Sequence, residues 1–349
     1  MIREAIAKLV DGQCLAEDEA AAVMEEIMTG EATPAQLAAF VVALRLKGET
    51  VDEIAGMARV MRAKALRVPY EGPSLLDTCG TGGDGSGTFN VSTAAAFVAA
   101  GAGAIVAKHG NRAMTSQCGS ADVLEALGAK IDLAPEQVAC CLREAGVGFM
   151  FAPAFHPAMR FAAGPRREIG VRTVFNVLGP LTNPAGAQAQ VLGVASAALA
   201  ETMAQVLERL GCRHALVVHG EDGLDEMTLG GATLVHELKD CALRSYRVAP
   251  EDVGLARAES CTVKGGSLAE NAAALRAVLG GQRGPLRDIV LLNSAAALVA
   301  ADIAATLGEG VSLAAAAIDG GGATRALERF VEVSNSFGET SSHGSTGSP

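Results

Sequence analysis

The sequence contains no tryptophan, and its 10 Phe and 2 Tyr amount to only 3% of 349 residues. That scarcity argues against the aromatic platforms on which single-stranded nucleic acid stacks. A basic surplus is missing too: 28 Lys and Arg face 39 Asp and Glu, a net charge of -11. A chain this acidic does not hold a phosphate backbone by counterion release. No C-x-x-C pair occurs among the eight cysteines (Cys14, Cys79, Cys118, Cys140, Cys141, Cys212, Cys241, Cys261), which argues against a structural zinc site. The thiols read as reduced, mostly buried small hydrophobes of a cytoplasmic chain, because the first residues open an amphipathic helix rather than a signal peptide. The longest apolar stretch, 91–107, is broken by Ser92, Thr93, Gly101 and Gly103. It is too short and too polar for a membrane span.

What is present is a core made of small aliphatic residues. Half the residues are hydrophobic, 19% are charged and 41 are glycine, so a sizeable core with many close backbone approaches is expected. The length suits two domains. Residues 1–68 read as helices alone: one helix over 16–29, then capping boxes at Thr33–Gln36 and Thr50–Glu53 that open two more. Such a bundle suits dimerisation. The turn-rich Pro69-Tyr70-Glu71-Gly72-Pro73 marks a crossover. Beyond it, strands are expected over 75–78, 104–107, 147–151, 190–194, 215–219 and 233–237. Helices are expected over 93–100, 121–127, 135–145, 199–210, 267–279 and 289–300. This alternation predicts an α/β domain over 69–334 with a mostly parallel central sheet, whose ligands bind beyond the strand C-termini. Later helical segments can join the first domain. Residues 335–349, rich in Ser and Gly, read as a disordered tail.

Four blocks carry chemistry. The first, 77–93, places Gly80, Gly82, Gly83, Gly85 and Gly87 between a strand and a helix that opens near Ser92-Thr93. Several backbone N–H groups and a helix N-terminus make a phosphate cradle. The run matches G-x-G-x-x-G, but no Asp or Glu occurs between Asp84 and Asp122 to hold a dinucleotide ribose, and no Gly-Lys-Ser/Thr closes a P-loop. The second block gathers Lys108, His109 and Arg112 after a strand, then Ser116, Gly119 and Ser120, with Ser120 read as the N-cap of the next helix. The third concentrates His156, Arg160, Arg166, Arg167 and Arg172, a cluster from which one Arg would read a carboxylate. The fourth, Glu221, Asp222, Asp225 and Glu226, offers oxygen ligands for Mg2+ beside a phosphate site.

Taken in order, these blocks resemble the anthranilate phosphoribosyltransferase family over nearly the whole chain. The likeness begins at G-E-A-T-P-A-Q and L-K-G-E-T and continues through G-T-G-G-D, K-H-G-N-R, G-S-A-D-V-L-E and F-N-V-L-G-P-L-T-N-P. It ends with H-G-E-D-G-L-D-E and A-A-A-A-I-D-G-G-G-A. The resemblance implies the fold of the pyrimidine nucleoside phosphorylases, a small helical domain and a larger α/β domain, with homodimers formed through the helical domain. It implies contacts to 5-phosphoribosyl 1-pyrophosphate (PRPP) from Gly80, Gly83, Asp84, Thr88, Asn90, Val91, Ser92 and Thr93, and from Lys108, Ser116 and Ser120. Ser92, Asp225 and Glu226 would serve Mg2+. Gly80, Asn111, His156 and Arg166 would meet anthranilate. No residue is assigned as acid or base, since the acceptor is a neutral aromatic amine that needs positioning. A nucleoside phosphorylase would not need the Asp225-Glu226 block, and a nucleic-acid-binding relative would not carry a charge of -11.

Overall fold

The computed structural model describes residues 1–113 and 118–337. It opens with α1 (Ile2–Val10), α2 (Glu17–Thr29), α3 (Pro34–Lys47) and α4 (Val51–Lys64). The last two start at the expected capping boxes. Gln36 N–H donates to the Thr33 hydroxyl while Thr33 N–H donates to the Gln36 side chain, and Thr50 and Glu53 exchange the same pair of bonds. The Glu53 carboxylate is fully buried and also accepts from Leu15 N–H at 2.9 Å and from the Lys47 ammonium at 2.8 Å. One carboxylate thus fixes the loop before α2, the end of α3 and the start of α4. A cation and two amides offset the cost of its burial.

The chain then alternates through β1 (Leu75–Gly80), α5 (Val91–Gly101), β2 (Ile105–Gly110), α6 (Ser120–Ala126), α7 (Pro135–Ala145), β3 (Val147–Phe151), α8 (Ala152–Phe155), α9 (Arg160–Ile169) and α10 (Phe175–Leu178). It continues through β4 (Ala189–Gly193), α11 (Ala197–Arg209), β5 (His214–Gly220), β6 (Thr233–Lys239), β7 (Ala242–Val248), α12 (Leu268–Leu279), α13 (Pro285–Ala300), α14 (Leu307–Asp319) and α15 (Gly322–Ser336). The strands form one sheet in the order β3-β2-β1-β4-β5-β6-β7. Pairings from β3 through β5 are parallel, whereas β5-β6-β7 is an antiparallel meander. The chain winds outward from β1 to β3 and then returns to β4 on the other side of β1. This reversal opens a crevice at the C-terminal ends of β1 and β4, where an α/β sheet places its ligands.

Two apolar cores result. One lies between the sheet and α5, α7 and α12–α15. The other joins the N-terminal bundle to Ala162 of α9, to Phe175 and Leu178 of α10, and to the α11 side of β4 and β5. Segments from the middle of the chain therefore belong to the helical layer. Near the expected crossover, Leu66 N–H donates to the Phe155 carbonyl and Val68 N–H to that of Pro184, so three passes of the chain run side by side there.

Several expectations need correction. Strand β7 had no turn signal, because its hairpin bends at Asp240 and Cys241, non-glycine residues with φ of 47° and 63°. Helix α9, which carries Gly164 and Pro165 in its interior, and α14, which carries Gly308 and Gly310 in its first turn, are not among the expected helices. Residues 335 and 336 of the expected tail belong to α15, while 338–349 lie outside the described residues. Gly119, not Ser120, is the N-cap of α6, and the Asp122 carboxylate accepts its N–H at 2.9 Å. All eight thiols are free, but only Cys118, Cys141 and Cys212 are buried; Cys14, Cys241 and Cys261 are exposed. Among the described residues no helix is long and apolar enough to cross a membrane.

Helix α2 crosses α4 at Gly56, where a Cβ would stand 2.2 Å from the Glu17 carbonyl oxygen. Gly56→Ala is therefore expected to lower stability by about 1–3 kcal/mol, the usual cost of overpacking. Urea unfolding checks this, and an unchanged midpoint would show that the two helices have room to separate.

Candidate active site

The site is built where β1 and β4 end. Gly80 and Gly193 are register partners on the two strands, and Thr81 N–H donates to the Gly193 carbonyl at 2.9 Å. The loop that follows turns through Gly82, Gly83, Gly85 and Gly87, all at φ between 63° and 82°, where a side chain would be strained. Its far end is tied to the 263–265 segment: Phe89 N–H donates to the Val263 carbonyl and Gly265 N–H to that of Gly87, beside a Thr88–Lys264 bridge. The loop then enters α5, whose N-terminus presents Val91, Ser92 and Thr93 after Asn90. Asn90 donates to the Cys118 carbonyl at 3.1 Å, and its buried amide oxygen has no partner among the described residues. The Thr93 hydroxyl meets that of Ser120 at 3.1 Å, which brings the second block against the first. Ser116 lies outside the described residues.

Lys108 comes from β2 and is nearly fully buried. Its ammonium donates to the Thr78 carbonyl and, at 3.2 Å, to the Ser92 hydroxyl. Burial lowers its pKa, and Asp77 pulls the other way. Asp77 is itself completely buried and accepts from Asn183 at 2.8 Å and from His109 N–H at 3.2 Å. Its pKa is pushed up to about 6 by burial, with Lys108 opposing. Neither Asp77 nor Asn183 carried a sequence signal beyond its place in a motif.

The acidic block closes over the same strand ends. The Asp225 carbonyl oxygen lies 1.6 Å from where a Gly193 Cβ would stand, and its carboxylate lies 2.7 Å from the corresponding point on Gly80. That carboxylate accepts from Gly82 N–H at 2.7 Å. Behind it, Asn293 of α13 clamps the backbone of Met227, accepting from its N–H at 2.9 Å and donating to its carbonyl at 3.0 Å. Sequence reasoning missed Asn293, which reads as one polar residue in a buried helix. Burial raises Asp225 to about 6, with Asp84 adding to it. Glu226 is raised to about 8 by burial and then by Asp225, while Lys108 and the Ser92 amide pull it down. Asp84 is held by the hydroxyl and N–H of Ser86.

Crowded carboxylates that hold their protons this tightly fit a hard divalent cation, which would relieve their repulsion. Among the described residues no group of three or more His, Cys, Asp and Glu is arranged to hold a metal alone. Mg2+ commonly takes one or two protein carboxylates and completes its shell with water and substrate phosphate, so the donor set fits that ion.

Of the residues expected to meet the aromatic acceptor, Gly80 ends β1, Asn111 follows β2, and His156 and Arg166 belong to the α8–α9 segment. His156 is buried, neither ring nitrogen has a hydrogen-bond partner among the described residues, and its ring centre is 5.1 Å from that of His109. Burial lowers His109 to about 3 and His156 to about 4, so both rings are neutral at pH 7. His109 Nδ1 lies 3.2 Å from the Gly179 carbonyl, one turn beyond Phe175. Over the Phe175 ring, at 5.1 Å, lies the half-buried guanidinium of Arg166. Among the described residues it makes no ion pair. Asn111 accepts from Arg112 N–H at 2.8 Å. Arg112 itself is bound to Asp122 and Glu125, which takes it out of the set of free cations.

Comparison with known proteins bears on this arrangement. Residues 3–65 match the helical bundle domain, and residues 72–324 the a/b domain, of a glycosyl transferase family. The chain is similar to the anthranilate phosphoribosyltransferase of Chloroflexus aggregans, at 64% identity over 335 residues, covering 95% of this chain and 98% of that protein. Against the Herpetosiphon aurantiacus enzyme of the same name the identity is 59% over 336 residues, 96% of this chain and 99% of that one. Among solved structures, that of anthranilate phosphoribosyltransferase from Thermus thermophilus superposes with a TM-score of 0.90 at 50% identity, covering 95% and 99% of the two chains. The Saccharomyces cerevisiae enzyme in complex with PRPP and Mg gives 0.89 at 29% identity, covering 96% and 98%.

Because the Asp225 carbonyl occupies the space of a Gly193 side chain, Gly193→Ala is expected to push the 225–226 loop off the strand ends. Divalent-cation affinity, read by Mn2+ titration in electron paramagnetic resonance, should fall roughly tenfold, with a stability loss of about 1–3 kcal/mol. Unchanged Mn2+ binding would remove this loop from the metal site.

Proposed function

The chain belongs to the anthranilate phosphoribosyltransferase family, and from that premise we propose which residues carry the reaction. The protein transfers the phosphoribosyl group of PRPP to the amine of anthranilate, releasing pyrophosphate, a step of tryptophan biosynthesis. The observation that carries the residue assignment is the 2.7 Å hydrogen bond from Gly82 N–H to the Asp225 carboxylate, which joins the phosphate cradle to the acidic block.

Gly80, Gly83, Asp84 and Thr88, with Asn90, Val91, Ser92 and Thr93, hold the donor, and Lys108, Ser116 and Ser120 bind its phosphates. The unpartnered Asn90 oxygen and the α5 N-terminus support this placement. Asp225, Glu226 and Ser92 hold Mg2+, which when bound neutralises charge on the departing pyrophosphate. Arg166 pairs with the anthranilate carboxylate, and Asn111, Gly80 and His156 line the ring. A cation stacked on Phe175 with no carboxylate of its own is suited to that task. The amine lone pair forms the bond to the anomeric carbon as the carbon–oxygen bond to pyrophosphate breaks. Pyrophosphate keeps the electron pair, and the amine's surplus proton passes to solvent. Neutral His109 and His156 present ring nitrogens without adding charge. The work of the chain is alignment and charge stabilisation, so no strong base is required.

We further propose a homodimer formed through the helical domain, acting in the cytoplasm. Helix α3 buries Leu37, Phe40, Val41 and Leu44, yet Ala35, Ala39, Val42 and Leu46 make a second apolar stripe on its other side, with Leu46 83% exposed. A helix apolar all round calls for a second partner. The exposed free thiols suit a reducing compartment. The domain division follows the same reading, with 1–68 forming the dimerisation unit and 69–334, extended by residues 335 and 336 of α15, the catalytic unit.

Mixing protein, Mg2+, PRPP and anthranilate should extinguish anthranilate fluorescence; no loss would remove the reading. Arg166→Ala should raise the anthranilate KM about tenfold or more, the factor of a lost charge-assisted hydrogen bond, with little effect on the PRPP KM. Asp225→Asn combined with Glu226→Gln should instead raise the Mg2+ requirement. In light scattering the wild type should have the mass of a dimer and Leu46→Asp that of a monomer; a wild-type monomer would dismiss the interface.

A further inference from the structure

The peptide unit between Thr81 and Gly82 is gripped at both ends by opposite charges. Its N–H donates to the Asp225 carboxylate at 2.7 Å, and its carbonyl accepts from the Arg172 guanidinium at 3.0 Å. The peptide dipole thus points its positive end at the anion and its negative end at the cation. The same guanidinium lies against Gly83, with Nη1 only 1.8 Å from where a Cβ would stand, so a side chain at residue 83 would displace the guanidinium from this position. Arg172 has no ion pair among the described residues, and its own backbone is fixed. Its carbonyl accepts from Arg45 of α3 at 2.6 Å, and the next N–H, of Thr173, donates to Asn176 at 2.9 Å.

We propose that Arg172 is a positioning residue for the reaction: it sets the orientation of the Thr81–Gly82 peptide and, through that peptide, the Asp225 carboxylate. The inference rests on the assignment of Asp225 to the metal site. If the peptide rotates, the Gly82 N–H leaves Asp225 and the carbonyl turns toward it, replacing a donor with an acceptor beside a carboxylate. Arg172 opposes that rotation because a carbonyl buried against a guanidinium is lost only with its hydrogen bond. Arg172 touches neither reacting atom, and its effect belongs to the donor and the metal, not to the acceptor. Arg166 lies six residues upstream on the same segment, yet the two arginines have separable roles.

The test compares Arg172→Met, which keeps length but not charge, with Arg172→Lys, which keeps a cation able to reach the Thr81 carbonyl. Arg172→Met is expected to raise the PRPP KM and the Mn2+ dissociation constant roughly tenfold each, as for loss of one charge-assisted hydrogen bond. The anthranilate KM and the melting temperature should stay close to wild type, and Arg172→Lys should recover most of the Mn2+ affinity. Hydrogen exchange of the 80–88 amides should accelerate in Arg172→Met alone. Unchanged Mn2+ affinity, equal behaviour of the two variants, or a rise confined to the anthranilate KM would overturn the proposal. Wild-type protein in the same assay separates the two layers, because a wild type without transferase activity rejects the functional reading and the inference with it.

Discussion

The site depends on the absence of two side chains. Gly80 and Gly193 lie side by side at the ends of β1 and β4; the backbone of Asp225 descends into the space that a Gly193 Cβ would fill, and its carboxylate into that of Gly80. With any larger residue at Gly193 the 220–227 loop would be held above the sheet. From this one approach the rest follows. The carboxylate of Asp225 reaches Gly82, Glu226 falls within the influence of Lys108 and the Ser92 amide, and Asn293 grips Met227 from behind. A loop that looks like solvated acid in the sequence becomes the floor of a crevice because backbone can meet backbone there.

That floor is electrostatically unfinished. Asp84, Asp225 and Glu226 crowd against one another, Glu226 alone of the three is drawn by the buried Lys108, and Lys108 is already shared with Asp77. A pyrophosphate brought to such a place would meet negative charge at short range in a poorly hydrated site, where screening is weak. Metal and donor are therefore coupled: each makes the place acceptable to the other. The acceptor side is built on the opposite principle. Its two histidines are neutral by burial, and its cation, Arg166, is unpaired among the described residues, so a carboxylate entering there displaces no internal salt bridge.

How much of this was legible in the sequence divides along physical lines. Capping boxes announced α3 and α4 because their signal is local, a side chain three residues from its partner. The glycine loop announced itself because backbone without Cβ atoms has few other uses at that density. By contrast, β7 turns on two non-glycine residues at positive φ, and α9 carries Pro165 in its interior, so local rules pointed the wrong way. Arg172 and Asn293 were invisible as positioning residues for a different reason. Each acts on backbone 91 and 66 residues away, and only the fold supplies those partners. Asp122 shows the middle case, a carboxylate that caps Gly119 and pairs with Arg112, which removes from the site a cation that the sequence had placed there.

The distribution of positive charge takes its meaning from that last point. Arg59, Arg209, Arg213, Arg244, Arg257 and Arg329 are all engaged by carboxylates, mostly at the surface, where such pairs contribute little to stability. What these pairs achieve is occupancy: each commits a guanidinium that could otherwise attract an anion away from the site. Arg166 and Arg172 are among the arginines without such a partner among the described residues, and they lie at the site, one stacked on an aromatic ring and the other laid along a glycine loop. In a chain of net charge -11, binding two anionic substrates does not require a basic surface. It requires that the neighbouring carboxylates be committed elsewhere, and the fold arranges that by deciding which arginines meet an acid and which meet only backbone or ring.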